Sequence, residues 1–209
     1  MPKTSAVSQP KLLLASSSTY RRALLDRLGL AFACQSPDVD ETRQPEEPPQ
    51  SLVFRLAEMK ARALSHEYQN HLIIGSDQVA SVAGAVLGKP GTAARACEQL
   101  ALLSGQTVHF YTGLALLNPA TNNSQIAMDT TDVVFRELAT KEIEAYVERE
   151  QPLDCAGAFK SEGLGVALFQ RIATDDPAAL IGLPLVKLCD MLRAEGLNPL
   201  TSPLHTPLD

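Results

Sequence analysis

Basic residues are in the minority in this chain of 209 residues, with 18 lysines and arginines against 24 aspartates and glutamates and a net charge of -6. A broad nucleic-acid-binding face needs clustered cations, so no nucleic acid polymer is expected as a partner, and any phosphate site must be local. No apolar run approaches the roughly 20 residues that cross a bilayer, and no long apolar segment follows the N-terminal charge. No membrane association is therefore expected, and the expected location is cytoplasmic. Cysteine and histidine are scarce, four of each, with no Cys-x-x-Cys pair and no zinc-ligand spacing. No zinc site is therefore expected. Cys97 and Cys189 fall in helical patterns as small buried hydrophobes, and no cysteine looks like a nucleophile. Internal repeats and low-complexity segments are also lacking.

What is present is a 45% hydrophobic chain, enough for one compact body or two small lobes. Residues 1–9 are small and polar and are expected to be disordered, residues 202–209 to form a flexible tail, and residues 10–201 to hold the fold. A strand and helix open it, Gly29 supplies a C-cap, and residues 38–50 form a polar, proline-bearing surface loop. Helices are predicted over 51–68, 92–103 and 140–148, the last capped by Thr140, and from Pro184 to a stop at Gly196. Strands are predicted around 72–75 and over 163–172. Hairpins are predicted over 79–87 and between 107–117 and 125–135, the second across an Asn-Pro-Ala-Thr-Asn-Asn turn. Strands and helices mix without strict alternation, which favours an α/β or α+β mixed sheet over a doubly wound parallel one.

The most informative stretch runs from Leu12 to Leu25, where Leu12-Leu13-Leu14-Ala15 breaks into Ser16-Ser17-Ser18-Thr19 and then Tyr20-Arg21-Arg22. A strand, a turn and a helix N-terminus with hydroxyls and an arginine one turn in make an anion site in outline. The alternative is that the serines only cap the helix and the arginines face water.

Three further positions stand out on physical grounds. Lys60 projects from the middle of an apolar helix face formed by Leu52, Val53, Leu56, Ala57, Ala63 and Leu64. Burying an unpaired ammonium costs several kcal/mol, so Lys60 either snorkels to an edge or meets an anion. Asp77 follows Leu72-Ile73-Ile74-Gly75-Ser76 and is placed near a strand's carboxyl end, as a ligand group or as a turn cap. Lys89 sits in the turn Gly88-Lys89-Pro90, where an exposed lysine is the plain alternative.

The run Leu14-Ala15-Ser16-Ser17-Ser18-Thr19-Tyr20-Arg21 resembles the signature of the Maf family of nucleoside triphosphate pyrophosphatases. Val39-Asp40-Glu41, Arg55-Leu56-Ala57 with Lys60-Ala61, Gly75-Ser76-Asp77-Gln78, Gly88-Lys89-Pro90, Tyr111-Thr112-Gly113, Lys160-Ser161-Glu162-Gly163 and Gly182-Leu183-Pro184 follow in the family's order and approximate spacing. The resemblance covers roughly residues 11 to 200. It implies an elongated mixed sheet flanked by helices, with two lobes around a nucleotide-binding cleft, and it suggests a homodimer. It implies Asp77 as the catalytic proton acceptor, with Ser16, Ser18, Arg21, Lys60, Lys89 and Lys160 holding the triphosphate. A divalent cation, Mg²⁺ or Mn²⁺, would rest on Glu41 and Asp77, because magnesium takes one or two carboxylates plus substrate oxygens.

The variant residues Tyr20, Gln78 and Glu162 are most similar to the 7-methyl-GTP pyrophosphatase subfamily, although the chain has tyrosine and threonine where that subfamily often has tryptophan at 20 and proline at 19. A carboxylate at 162 can accept both N1-H and the exocyclic amine of guanine, and an aromatic face at 20 adds roughly 0.5 to 2 kcal/mol of cation-π attraction to a methylated, cationic base. The expected activity is hydrolysis of 7-methyl-GTP to 7-methyl-GMP and diphosphate, removing a modified nucleotide from the pool. A pyrophosphatase for dTTP, UTP or a broader set of modified nucleotides is one alternative, and a non-catalytic nucleotide-binding regulator of cell division is another.

Overall fold

The computed structural model describes residues 10–202. The expectations of disorder at 1–9 and of a flexible tail at 202–209 fall outside the described residues, apart from Ser202. The elements run β1 (Lys11–Leu14), α1 (Thr19–Asp26), β2 (Phe32–Cys34), α2 (Pro49–Ala63), β3 (His71–Val82), β4 (Ala85–Leu87), α3 (Ala93–Leu103), β5 (Thr107–Asn118), β6 (Asn123–Phe135), α4 (Thr140–Glu150), β7 (Phe169–Ala173) and α5 (Leu185–Ala194). Short 3₁₀ turns cover Ala156–Ala158, Leu164–Leu168 and Ala179–Ile181.

The seven strands form one mixed sheet in the order β2-β1-β3-β5-β6-β7, with β4 paired to β3. β1 is parallel to β2 and β3, and the pairs from β3 to β7 are antiparallel. The mixed α/β reading of the sequence holds. β1 is apolar from Leu12 to Leu14 because both its faces are covered, as a strand with parallel neighbours on both sides requires. Leu12, Leu14, Leu72 and Ile74 pack with Leu24 and Leu25 of α1 and Leu188 and Leu192 of α5. Farther along the long strands, Ala80, Val108, Phe110, Val133 and Phe135 pack with Leu100 and Leu103 of α3 and Ile143 and Val147 of α4. Each fully buried leucine or phenylalanine contributes about 1.5–3 kcal/mol. The two groups are separate cores joined by β3 and β5.

Across the sheet, α2 lies on Leu13, Ile73 and Ala115 through Ala57 and Ala61, and on Val79 through Leu52, Val53 and Leu56. Two glycines permit this. A Cβ at Gly75 would overlap the Ala57 carbonyl oxygen, and one at Gly113 would overlap that of Val53, both well inside 3.0 Å. Helix backbone therefore rests almost directly on strand backbone.

Five local expectations need correction. The α2 helix starts earlier and ends sooner than predicted, because Pro49 presets its first turn and the chain leaves helical geometry at Leu64. Thr140 is the first helical residue of α4, and the end is capped by the Glu142 carboxylate, which accepts from the Ala139 N–H at 2.9 Å. The predicted strand over 163–172 is a 3₁₀ turn followed by the shorter β7. Asp77 lies in the middle of β3 rather than near its end, because the ladder with β5 continues unbroken from Ile73 to Ser81. Cys97 and Cys189 are only half buried. The hairpins, α3 and α5 follow the sequence reading closely.

Candidate active site

Strand β1 pairs with β3 only as far as Leu14 opposite Ile74, and β4 joins that side only from Ala80 opposite Leu87. Between them, residues 75–79 of β3 have β5 on one side and no strand on the other. A cavity of about 490 Å³ lies at this gap. The turn leaving β1 brings Ser16 and Ser18 to one rim and the turn leaving β4 brings Lys89 to the other, with Asp77 and Gln78 between. Ligand sites commonly form where a sheet's strands part, beyond a strand's carboxyl end.

The serines do cap. Ser16 Oγ accepts from the Ser18 N–H at 3.1 Å, and Ser18 Oγ from the Arg21 N–H at 3.3 Å. Capping uses their oxygens as acceptors and leaves their hydroxyl hydrogens to donate into the cleft. Thr19 and Tyr20 open α1, so their N–H groups precede its first intrahelical bond. Arg21 Nε donates to the Gly182 carbonyl at 2.8 Å, which fixes the guanidinium and leaves its Nη groups without a protein partner among the described residues. Burial lowers the Arg21 pKa, opposed by the charges of Asp77 and Glu41.

Lys60 does not snorkel. It is 6% exposed and Asp77 7% exposed, and its Nζ donates to Asp77 Oδ1 at 2.7 Å. Glu41, exposed on the loop before α2, puts Oε1 2.8 Å from the same ammonium. The anions met by Lys60 in this structure are thus the protein's own carboxylates. Asp77 Oδ2 has no hydrogen-bond partner among the described residues. The Glu41 loop is pinned to α2 by Arg55, which contacts both oxygens of Glu47 at 2.7 and 2.8 Å and the Thr42 carbonyl at 3.1 Å. Those bonds hold the Glu47 carboxyl down to about pKa 2.

A second recess of about 170 Å³ shares Ser18, Tyr20, Arg21, Gln78 and Lys89 with the main cavity and is backed by Phe110 and Phe159. Glu162 lines it from an exposed loop. Tyr20 has a raised pKa, first from burial and then from Cys155, Asp154 and Glu162, and burial with Asp154 pushes the Cys155 thiol up to about 12. Gln78 is already engaged: its Nε2 lies 2.8 and 3.0 Å from the carbonyls of Ala179 and Leu180 and 3.0 Å from Thr112 Oγ1. Only its amide oxygen is left for a ligand.

Ser16, Ser18, Tyr20, Arg21, Glu41, Lys60, Asp77, Gln78 and Lys89 line the main cavity, and Glu162 joins in the recess. Lys160 does not line either. Its Nζ turns to the Glu150 carbonyl at the end of α4, 2.9 Å away, where orphan carbonyls of a helix C-terminus attract a cation. Missing from the sequence reading were Asp154 and Phe159; the polar-to-small break Asp154-Cys155-Ala156-Gly157 was the available signal for the first, and Phe159 carried none.

The fold and cleft make this a mixed-sheet α/β protein with serine hydroxyls, a helix N-terminus, Arg21 and Lys89 gathered around one cavity. It belongs to the Maf family: the family model described as Maf-like protein matches residues 11–195. Enzymes of this family are generally nucleoside triphosphate pyrophosphatases dependent on a divalent metal. Glu41 and Asp77 suit such a cation, as hard oxygen donors converging on one ammonium. No group of three or more His, Cys, Asp or Glu among the described residues could hold a metal alone, so substrate oxygens and water would complete its shell. No helix among the described residues is long and apolar enough to cross a membrane.

Proposed function

We propose that this protein hydrolyses 7-methyl-GTP to 7-methyl-GMP and diphosphate in the cytoplasm, cutting the bond between the α and β phosphates. The observation that carries the reading is the recess next to the phosphate-directed rim, where the phenol of Tyr20 and the carboxylate of Glu162 share one cavity. A methylated guanine is cationic and presents two adjacent N–H donors. Tyr20 would stack on its face and Glu162 would accept from its edge. The Gln78 amide oxygen would accept from the same base while its nitrogen braces the wall.

In this reading Ser16, Ser18, Arg21 and Lys89 hold the triphosphate and offset charge on the departing diphosphate. Lys60 fixes one oxygen of Asp77, and Asp77 Oδ2 takes the proton of the attacking water. The water oxygen bonds to the α phosphorus as the bond to the bridging oxygen breaks. A divalent cation on Glu41 and Asp77 would supply charge neutralisation at the phosphate oxygens. The test is diphosphate release from 7-methyl-GTP, GTP, dTTP, UTP and CTP with Mg²⁺ or Mn²⁺. A lead of tenfold or more for 7-methyl-GTP, worth about 1.4 kcal/mol of transition-state discrimination, supports the assignment. A lead for pyrimidines sinks the roles of Tyr20 and Glu162, and nucleotide binding without hydrolysis favours a regulator.

A further inference from the structure

Asp154 is a carboxylate of the cleft that neither the Lys60 cluster nor the base-facing pair accounts for. It precedes the 3₁₀ turn Ala156–Ala158 and lines both the main cavity and the recess. Among the described residues it pairs with no cation; its hydrogen-bond partner is the neighbouring Cys155 thiol, with Sγ 3.5 Å from Oδ1. The Gly91 N–H donates to the Leu153 carbonyl at 2.9 Å, which ties the residue before Asp154 to the turn that carries Lys89. The charge of Asp154 also acts on Tyr20 across the recess. Asp154 therefore shares both cavities with Lys89, a cation suited to phosphate, and with Tyr20, the phenol assigned to the base.

A bare carboxylate in a cleft built for a polyanion weakens binding unless the ligand donates to it. The part of a nucleoside triphosphate that joins phosphate to base is the sugar, and its two vicinal hydroxyls are donors that a carboxylate can accept together. We propose that Asp154 binds the 2′- and 3′-hydroxyls of the substrate's ribose and makes the enzyme select ribonucleotides over 2′-deoxyribonucleotides. This rests on reading the two cavities as phosphate and base sites. Because Asp154 is exposed, the preference is moderate, about tenfold, rather than the far larger factor a fully buried polar contact gives.

The test is equilibrium titration of wild type and of Asp154→Asn and Asp154→Glu with α,β-methylene-GTP and its 2′-deoxy form, which resist cleavage at the α-β bond. Folding of each variant is checked by thermal melting. Wild type is expected to bind the ribose form about tenfold tighter, and Asp154→Asn to bring the ratio to about two or less while affinity for the deoxy form holds or improves. Asp154→Glu should fall between. A ratio near one in wild type, a ratio unchanged by the substitution, or equal weakening of both sugars overturns the proposal. So does a shift confined to methylated against unmethylated base, read with 7-methyl-GTP and GTP. Diphosphate release is followed separately with cleavable 7-methyl-GTP and GTP: sugar discrimination that depends on Asp154, without release from these substrates, supports this inference while removing the pyrophosphatase reading.

Discussion

Asp77 and Gly113 are paired across the β3–β5 ladder, and the side chain that Gly113 lacks is what lets α2 deliver Lys60 to Asp77. A methyl group at 113 would collide with the Val53 carbonyl and lift the helix. Gly113→Ala is expected to cost about 1–3 kcal/mol of stability, the usual cost of overpacking. It should also lower kcat, since a shift of the helix opens the 2.7 Å contact. Urea unfolding and steady-state kinetics on the same variant check both. An unchanged unfolding midpoint would show that α2 does not depend on this close approach.

Asp77→Asn keeps the shape of the side chain and an oxygen to accept from Lys60, but loses the proton acceptor. Activity is expected to fall about 10²–10⁴-fold, the range for a lost general base, with the melting temperature nearly unmoved. Lys60→Met is the useful contrast. It leaves Asp77 and Glu41 facing each other without the ammonium between them, so it should lower both stability and activity. If Asp77→Asn retains most of its activity, another group accepts the proton.

The sequence made the long hairpin of β5 and β6 legible because alternation and a polar turn are local signals, and both lie within a few residues of what they specify. It also showed that Lys60 was out of place on an apolar face. Its partner was beyond reach, because Asp77 comes to Lys60 only through the glycine-permitted contact of α2 with β3. Lys160 shows the opposite case. Its motif pointed toward a ligand, while the carbonyl it meets belongs to the end of α4, and only the fold brings the two together. The sequence points to a strand end at Asp77 because the apolar run Leu72-Ile73-Ile74 gives way to Gly75-Ser76 just before it. Instead Ser76 donates toward backbone carbonyls on one face while Asp77 meets Lys60 on the other, and the strand runs on. The unpaired edge of residues 75–79 depends on where β1 and β4 stop, which no local pattern encodes.

Glu47 gives the loop that carries Glu41 a distinct acid response. Its pKa is lowered to about 2 by Arg55, so the folded state favours the charged carboxylate more than the unfolded chain does. The stabilisation is thus present above the ordinary glutamate range and is lost as pH falls from there through about 2. Glu47→Gln should be less stable than wild type at pH 7, and the gap should shrink steadily below about pH 4.5. Denaturant unfolding of both proteins at pH 7 and pH 3 measures it. A gap that is constant with pH would mean that Glu47 stabilises through packing rather than through its charge.

Lys89 and Lys160 stand in similar motifs but in different places, and their substitutions should separate cleanly. Lys89 lines both cavities with no carboxylate partner among the described residues, which leaves its ammonium available to phosphate. Lys89→Met is expected to lower kcat/KM about tenfold, as loss of a charge-assisted hydrogen bond does, with little change in stability. Lys160 instead holds the end of α4, and its own N–H donates to the Tyr146 hydroxyl at 3.0 Å. Losing its ammonium removes a cation from a helix C-terminus, a cost of about 0.3–1 kcal/mol in stability. Because the next residues lead to Glu162, Lys160→Met should also loosen discrimination between bases while sparing the phosphate contacts. The readouts are melting temperature, kcat/KM for one nucleotide, and the ratio of 7-methyl-GTP to UTP turnover. A tenfold loss of kcat/KM in Lys160→Met with the base ratio intact would instead place its ammonium on the phosphates.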